Sequence, residues 1–240
     1  MIAMPETAMV MAAGLGTRMR PLTDQTAKPL LRVAGKSMLD ILLDTLTAAG
    51  VQRVIVNVHW CADQVEAHLA KRRDLEVIIS EERGQLLETG GGLAKARPLL
   101  GDEPIFVVNT DAFWFPFGSE PLIKLAETFD PEQMDECLLL ADRHRSLGFH
   151  GKGDFYRAED GTLTRRGESD SVPWAYAGIR ILKPQLYDDR AIEPFSANLV
   201  WDELLPDQRL HGQPLDRFWL HVGDPQALND AEAWLRSNGA

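Results

Sequence analysis

Positively charged side chains accompany a glycine-rich segment near the start of the chain. A short apolar strand runs into residues 10–23, where Gly14 and Gly16 allow the backbone to approach a ligand and turn its N–H groups toward it. Three cations accompany the glycines: Arg18, Arg20 and Lys28. Close backbone approach and positive charge together suit a phosphate group, so the sequence predicts a phosphate-binding loop.

Better-known glycine-rich loops do not fit this segment. In the dinucleotide-binding pattern G-x-G-x-x-G, the third glycine position is occupied by Met19. A P-loop could end at residues 35–37, but Leu30 stands where its first glycine must be. A kinase loop would need a hairpin and a catalytic segment that the chain lacks. An ordinary strand-to-helix connection explains the two glycines but not the three cations.

Two later segments carry polar groups at the ends of apolar elements. Residues 80–93 form a loop that enters a helix, whose amino end can receive an anion or present backbone groups to a base. Alternatively, Thr89 only caps that helix and the glycines are connectors. Residues 105–110 form an apolar strand that delivers Asp111 at its carboxyl end, where aspartate is often a turn residue.

The first segment resembles the signature of the sugar-1-phosphate nucleotidyltransferases, A-A-G-x-G-T-R-x-x-P-L-T-x-x-x-P-K-P-L. The chain matches it throughout residues 12–30 except at Ala27, which replaces the proline before Lys28. The resemblance implies an α/β, Rossmann-like fold with a mixed, mostly parallel sheet flanked by helices. It also implies transfer of a nucleotidyl group from a nucleoside triphosphate to a sugar 1-phosphate, with release of pyrophosphate.

The resemblance further implies roles for individual residues. Arg18 would brace the transferring phosphate and the leaving pyrophosphate, and Lys28 would contact the region of the α-phosphate. Residues 80–93 would recognise the base, with the glycines leaving room for its planar ring. The implied nucleotide-binding residues are Ala12, Ala13, Gly14, Gly16, Thr17, Glu82, Gly90 and Asn109.

The implied cofactor is Mg²⁺, held by Asp111. The second metal-binding aspartate of the family pattern W-x-D-x-G is replaced by His221, and imidazole suits Mg²⁺ poorly. Three interpretations remain open. Mg²⁺ is held by Asp111 and the nucleotide alone, or a shifted carboxylate such as Asp224 takes part, or the protein binds nucleotide without efficient turnover. His221 stays a candidate metal ligand.

Two short pieces bear on the sugar. The segments at 87–92 and 148–155 resemble those of the N-acetylmuramate-1-phosphate uridylyltransferases of cell-wall recycling. The lactyl carboxylate of that sugar should meet a cation, for which Lys152 is a candidate. The implied sugar-binding residues are Lys152, Asp154, Tyr176 and Gly178. The alternatives are a mannose-1-phosphate guanylyltransferase, a glucose-1-phosphate thymidylyltransferase, or a non-catalytic nucleotide-binding module.

The elements that must position these residues alternate along the first half. Predicted strands at 8–12, 53–58, 76–80 and 105–109 alternate with predicted helices at 38–49, 62–72 and 92–99. This order predicts parallel strands with helices on both faces, and ligands beyond the carboxyl ends of the strands. Shorter strands follow residue 129. We expect a single domain over 1–240, with a nucleotide-binding half at about 1–130 and a sugar-binding half at about 131–240.

Composition limits the partners. The net charge of −11 argues against a nucleic-acid or anionic-membrane surface, since both require a basic face. No apolar stretch approaches the roughly 20 residues that span a bilayer. The two cysteines lack metal-type spacing, and we expect reduced thiols and a cytoplasmic protein. The expected partners are a nucleoside triphosphate and a sugar 1-phosphate, with the oligomeric state left open.

Overall fold

The structure, a computed structural model, describes residues 3–239. The helices are α1 (Met38–Ala48), α2 (Ala62–Leu69), α3 (Glu88–Leu100), α4 (Glu120–Thr128), α5 (Asn198–Leu204) and α6 (Pro225–Ser237). The strands are β1 (Thr7–Met11), β2 (Arg32–Val33), β3 (Lys36–Ser37), β4 (Arg53–Val58), β5 (Glu76–Glu81), β6 (Ile105–Asn109), β7 (Ala112–Phe115), β8 (Glu136–Asp142), β9 (Ser146–Leu147), β10 (Phe155–Arg157), β11 (Leu163–Arg165), β12 (Trp174–Leu182), β13 (Leu210–Pro214) and β14 (Phe218–His221).

The central sheet has the order β11-β10-β12-β6-β1-β4-β5, with β8 beside β12 and β13 beside β8. Strands β6, β1, β4 and β5 are parallel, whereas β12 is antiparallel to β6 and β8. In this register Met11 pairs with Asn57 on one side and with Asn109 on the other. The carboxyl ends of three strands therefore meet at one edge of the sheet.

Helices cover both faces of the sheet, as the sequence predicts. Alternate residues of β1 point to opposite faces, because successive side chains of a strand do so. One face packs Val10 with α1, α2 and α4 through Leu39, Leu43, Val65 and Leu122. The other face packs Met9 with α3 and α5 through Leu93, Ala96 and Val200.

Strands from before and after residue 130 share this sheet, since β12 lies between β6 and β8. The register of β12 against β8 shifts between Tyr176 and Arg180, at a bulge that contains Gly178 with φ +86°. A positive φ favours glycine, which has no Cβ to clash with the following carbonyl. The single-domain boundaries and the division into two functional halves stay predictions.

A smaller sheet of order β7-β14-β9 lies beside the central one and packs against α6. It continues directly from β6, so the chain turns at residues 110–111 between the two sheets. The N–H of Val222 donates to the carbonyl oxygen of Asp111 at 2.9 Å, which fixes the end of β14 next to that turn. Within residues 3–239 no helix has the length and apolar character needed to cross a membrane.

Most predicted boundaries lie within a few residues of the observed ones, but the start of α3 was predicted wrongly. The helix begins at Glu88 rather than Gly92, so the glycines of this segment lie inside its first turns. The carbonyl oxygen of Phe195 accepts hydrogen bonds from the N–H groups of Gly90 and Gly91, at 2.8 and 3.3 Å. A distant segment thus supports the amino end of α3, which local sequence patterns do not reveal.

Candidate active site

A cleft of about 310 Å³ lies at the carboxyl ends of β1, β4 and β6. Many of the residues predicted for the nucleotide line it together: Ala12, Ala13, Gly14, Gly16, Thr17, Arg18, Lys28, Asn109 and Asp111. These residues come from three separate stretches of sequence, and the parallel register of the strands brings the stretches to one place.

The glycine-rich loop folds back on the residues that follow it. Gly16 has φ +62°, and a Cβ built on it would lie 3.0 Å from Thr23 Cγ2 and 3.1 Å from Lys28 Cβ. The buried Thr23 hydroxyl donates to the carbonyl oxygen of Gly16 at 2.7 Å, and the Trp60 indole N–H donates to the carbonyl oxygen of Thr23 at 2.9 Å. Both the left-handed backbone conformation and the limited space therefore favour glycine at position 16.

The N–H groups of Ala12 and Ala13 are already engaged. Both donate to Oδ1 of the buried Asn57, at 2.7 and 3.2 Å. They are therefore occupied in this structure, although both alanines line the cleft. A Cβ built on Gly14 meets no atom within 4 Å, so the loop is open at that residue.

Lys28 and Asp111 form an ion pair inside the cleft, with Lys28 Nζ 2.7 Å from Asp111 Oδ2. The two side chains are only 12% and 20% exposed. Burial acts to raise the pKa of the Asp111 carboxyl, but the charges of Lys28 and His221 and the Lys28 hydrogen bond outweigh it and lower that pKa. The carboxylate is thus kept ionised beside a compensating charge.

The Asp111 carboxylate in the cleft suits Mg²⁺, which substrate and water can help to coordinate, rather than a metal that protein groups alone would hold. Among residues 3–239 there is no cluster of three or more histidine, cysteine or acidic side chains that could hold a metal. Mg²⁺ commonly takes one or two carboxylates and completes its oxygen ligands from substrate phosphates and water. Asp111, which lines the cleft, fits that pattern.

His221 and Asp224 are placed differently from Asp111. The Nδ1 atom of His221 lies 3.3 Å from the carbonyl oxygen of Gly148, and its ring packs against Trp219 with centroids 5.2 Å apart. Asp224 accepts the Ala227 N–H at 2.8 Å and caps α6. Neither is among the described residues that line the cleft, and a role of either one in metal binding stays a prediction.

Glu82 lies beneath the cleft rather than in its wall. Its side chain is buried, with Oε1 accepting the Asn57 Nδ2–H at 2.8 Å and Oε2 accepting the Leu87 N–H at 3.1 Å. The predicted direct contact between this carboxylate and a base therefore does not fit the structure. A carboxylate can be buried here because two N–H groups satisfy it.

The glycines in the first turn of α3 allow close packing rather than access for a ligand. A Cβ on Gly90 would lie 2.2 Å from the Phe195 ring, and one on Gly91 would lie 2.0 Å from the Glu193 carbonyl oxygen. The expectation that Gly90 leaves room for a base is therefore not met. The alternative role of Thr89 as a helix cap is also wrong, because its hydroxyl accepts the Ala197 N–H at 2.9 Å.

Comparison with known proteins decides the family. The nucleotidyl transferase family model matches residues 7–149, which is more than half of the chain. The chain belongs to the nucleotidyl transferase family. It is similar to the N-acetylmuramate alpha-1-phosphate uridylyltransferase of Caulobacter vibrioides, with 46% identity covering 96% of this chain and 97% of that protein. The protein of the same name from Neisseria meningitidis serogroup B is 33% identical, over 94% of this chain and 96% of that protein.

The fold of this nucleotidyl transferase also matches solved structures. The inositol-1-phosphate CTP transferase from T. maritima superposes with a TM-score of 0.77 at 15% identity, covering 99% of both chains. The predicted family, the enzyme class and the mixed, mostly parallel sheet with flanking helices are confirmed.

The four residues predicted to bind the sugar do not line the cleft that the structure describes. Lys152 is exposed, and Asp154 Oδ2 accepts the Tyr176 N–H at 2.8 Å, which joins two strands. The Tyr176 hydroxyl accepts a hydrogen bond from Arg180 Nη1 at 3.0 Å, and burial raises the pKa of this phenol to about 12. Gly178 forms the bulge in β12. Their role in sugar binding stays a prediction.

Sequence reasoning left out several residues that line the transferase cleft, among them Asn57 and Glu88. Asn57 is the last residue but one of β4, a correctly predicted strand, and its position near a strand end beside the glycine-rich loop was an available signal. Glu88 is exposed, lines the cleft and has φ +59°, a left-handed conformation that is uncommon for a residue with a Cβ. Nothing in the local pattern indicates that conformation.

Proposed function

We propose that the chain transfers the uridylyl group of UTP to N-acetylmuramate 1-phosphate, in the cytoplasm and as a step of cell-wall recycling. The products are UDP-N-acetylmuramate and pyrophosphate. The observation that carries the proposal is 46% identity, over nearly the whole of both chains, to a protein named for that activity. The glycine-rich loop and the Lys28–Asp111 pair in one cleft supply the groups that the reaction needs.

The chemistry requires no nucleophile from the protein. An oxygen of the sugar phosphate attacks the α-phosphorus of UTP in line, and the bond from that phosphorus to the bridging oxygen of pyrophosphate breaks. The protein must hold two polyanions together and stabilise the negative charge that develops. Arg18 and Lys28 supply fixed positive charge for this, and the backbone of Gly14 is open to the ligand.

Asp111 would hold Mg²⁺ together with the nucleotide phosphates, and the ion would neutralise their charge when bound. The cation Lys28 beside Asp111 then keeps the carboxylate ionised before the metal and nucleotide arrive. We also propose that Asn109 contacts the nucleotide. It is the last residue of β6, pairs with Met11 of β1 and lines the cleft.

Lys152 is proposed to receive the lactyl carboxylate of the sugar. It is exposed on a loop that the Asp154 to Tyr176 hydrogen bond ties to β12. Replacing Lys152 with Ala should raise the KM for N-acetylmuramate 1-phosphate and leave that for glucose 1-phosphate unchanged. An equal effect on both sugars would show that Lys152 does not bind the carboxylate.

The test of the whole proposal is pyrophosphate release with Mg²⁺ across a matrix of substrates. UTP, dTTP, GTP and CTP are each combined with the 1-phosphates of N-acetylmuramate, N-acetylglucosamine, glucose and mannose. Turnover dominated by UTP with N-acetylmuramate 1-phosphate supports the proposal. A dominant GTP and mannose pair, or dTTP and glucose pair, would move the substrate assignment. Nucleotide binding without turnover in any combination would favour the non-catalytic module.

A further inference from the structure

Two buried side chains join two loops that line the cleft: the glycine-rich loop, and the 86–89 loop, which leads into α3 and includes its first two residues. Asn57 Oδ1 accepts the N–H groups of Ala12 and Ala13 in the glycine-rich loop, and Asn57 Nδ2 donates to Glu82 Oε1. Glu82 Oε2 in turn accepts the N–H of Leu87, next to the cleft residues Leu86 and Glu88. A continuous chain of hydrogen bonds therefore connects the two loops through one amide and one carboxylate.

The donor and the acceptor of each hydrogen bond in this chain can be assigned. Since backbone N–H groups only donate, they must face Oδ1 of Asn57 and Oε2 of Glu82. The amide nitrogen of Asn57 is then directed at the other carboxylate oxygen, 2.8 Å away. Asn57 and Glu82 are each only 1% exposed, so water cannot easily replace a lost partner.

Neighbouring groups pack around the pair and hold it in place. The His59 ring Nδ1–H donates to the carbonyl oxygen of Glu82 at 2.7 Å. A Cβ on Gly92 of α3 would lie 3.0 Å from both Asn57 Nδ2 and Glu82 Oε1. The third glycine of the run 90–92 thus leaves space for this hydrogen bond rather than for a ligand.

We infer that Asn57 and Glu82 are positioning residues that set the separation of the glycine-rich loop from the 86–89 loop for the nucleotide held between them. The inference rests on the proposed function only in taking this cleft as the nucleotide site. Binding is strongest when both loops are already in place, because ordering them would otherwise reduce the affinity. Breaking the link should therefore weaken nucleotide binding and leave the sugar phosphate site unaffected.

The pair can be tested by exchanging its two functional groups. In Asn57→Asp, two carboxylates face each other where a hydrogen bond was. In Glu82→Gln, an added NH₂ group must face either the Asn57 NH₂ or the Leu87 N–H. In the double variant, the new amide NH₂ at position 82 donates to the new carboxylate at position 57. That carboxylate still accepts from the N–H groups of Ala12 and Ala13, and the amide oxygen at position 82 still accepts from Leu87. The same hydrogen bonds form with reversed polarity and unchanged net charge.

We expect each single variant to raise the KM and Kd for the nucleotide by roughly ten- to a hundredfold, the effect of an unsatisfied buried polar group. The double variant should recover most of this loss, and the KM for the sugar phosphate should change little throughout. The substrates are the pair that turns over best in the matrix. A different pair there would revise the proposed substrate without affecting this test. The matched control is Asn229→Asp with Glu127→Gln, two exposed helix positions.

Four outcomes would overturn the inference. A double variant as impaired as the worse single variant would show that the hydrogen-bond exchange does not matter. Equal increases in KM for both substrates, or a lower melting temperature with unchanged KM, would indicate a purely structural role. A change in base preference in Glu82→Gln would mean that Glu82 contacts the base directly.

Discussion

Lys28 and Asp111 are 83 positions apart in the sequence, yet their charged groups lie 2.7 Å apart in the lining of the cleft. Lys28 follows the glycine-rich loop in a 3-10 turn at Lys28–Leu30, and Asp111 follows β6. The parallel pairing of β1 with β6 brings these two segments to the same edge. The pair connects the segment that follows the glycine-rich loop to the proposed metal ligand.

Replacing Lys28 with Met should lower kcat/KM by about two to three orders of magnitude, because a fixed charge opposite the developing negative charge is lost. The replacement also leaves the Asp111 carboxylate without its compensating ammonium group. Steady-state pyrophosphate release measures the effect. Lys36→Met, at an exposed lysine paired with Asp44 outside the cleft, is the control and should keep its rate. If Lys28→Met were as active as the Lys36→Met control, Lys28 would have no part in the reaction.

Arg18 and Arg20 offer a matched comparison within one loop. Arg18 lines the cleft, whereas the exposed Arg20 contacts Asp24 at 3.4 Å. Arg18→Ala should lower turnover by about two orders of magnitude or more, and Arg20→Ala should have little effect. Circular dichroism should show both variants folded. Equal losses would mean that general positive charge, rather than placement, is what matters.

Glu88 is held in a left-handed conformation that Gly adopts without steric cost. Glu88→Gly should therefore raise the free energy of unfolding, by up to about 1 kcal/mol once the greater unfolded-state freedom of glycine is included. Denaturant unfolding measures it. Ala34→Gly is the control, since Ala34 has φ +51° at a hairpin outside the cleft. Similar stabilisation in both variants, with altered nucleotide KM only for Glu88→Gly, is expected. A loss of stability in Glu88→Gly would show that the conformation carries no strain.

Gly91 has no room for a side chain. An added Cβ would lie 2.0 Å from the Glu193 carbonyl oxygen, which is backbone and cannot move aside as a side chain can. Gly91→Ala should reduce stability by about 1 to 3 kcal/mol and raise the nucleotide KM as the 86–89 loop shifts. Gly84→Ala, with open space around it, should do neither. The melting temperature and the nucleotide KM of both variants test this. Equal effects in the two variants would contradict it.

The ionic contacts of Asp135 should make the stability of the protein depend on pH. It accepts hydrogen bonds from Arg209 and Lys183, and these interactions lower the pKa of its carboxyl. A lowered folded pKa adds stability above the unfolded value of about 4, and this contribution is lost as the pH falls through the folded pKa.

Asp135→Asn should therefore lower the free energy of unfolding by about 1 to 3 kcal/mol at pH 7. This difference from the wild type should shrink below about pH 4. Urea unfolding at pH 7, 5 and 3 measures this difference. A difference that does not change with pH would contradict the ionic contribution.

The sequence by itself determined the family, the position of the glycine-rich loop and the succession of the main strands along the chain. These depend on local features: the glycine and cation spacing at 14–28, and short apolar runs such as 53–58 and 105–109 that correspond to β4 and β6. Backbone conformation and charge at such positions follow from neighbouring residues, so a single stretch of sequence carries the information.

Only the tertiary structure decided which polar groups face the cleft. Glu82 and Gly90 were predicted to contact the nucleotide, but Asn57 and Phe195, 25 and 105 positions away, occupy their polar groups or the space beside them. A carboxylate or an amide has the same local pattern whether it binds a ligand or another residue. Its partner is set by strand register and helix packing between distant segments, and those contacts form only when the chain folds.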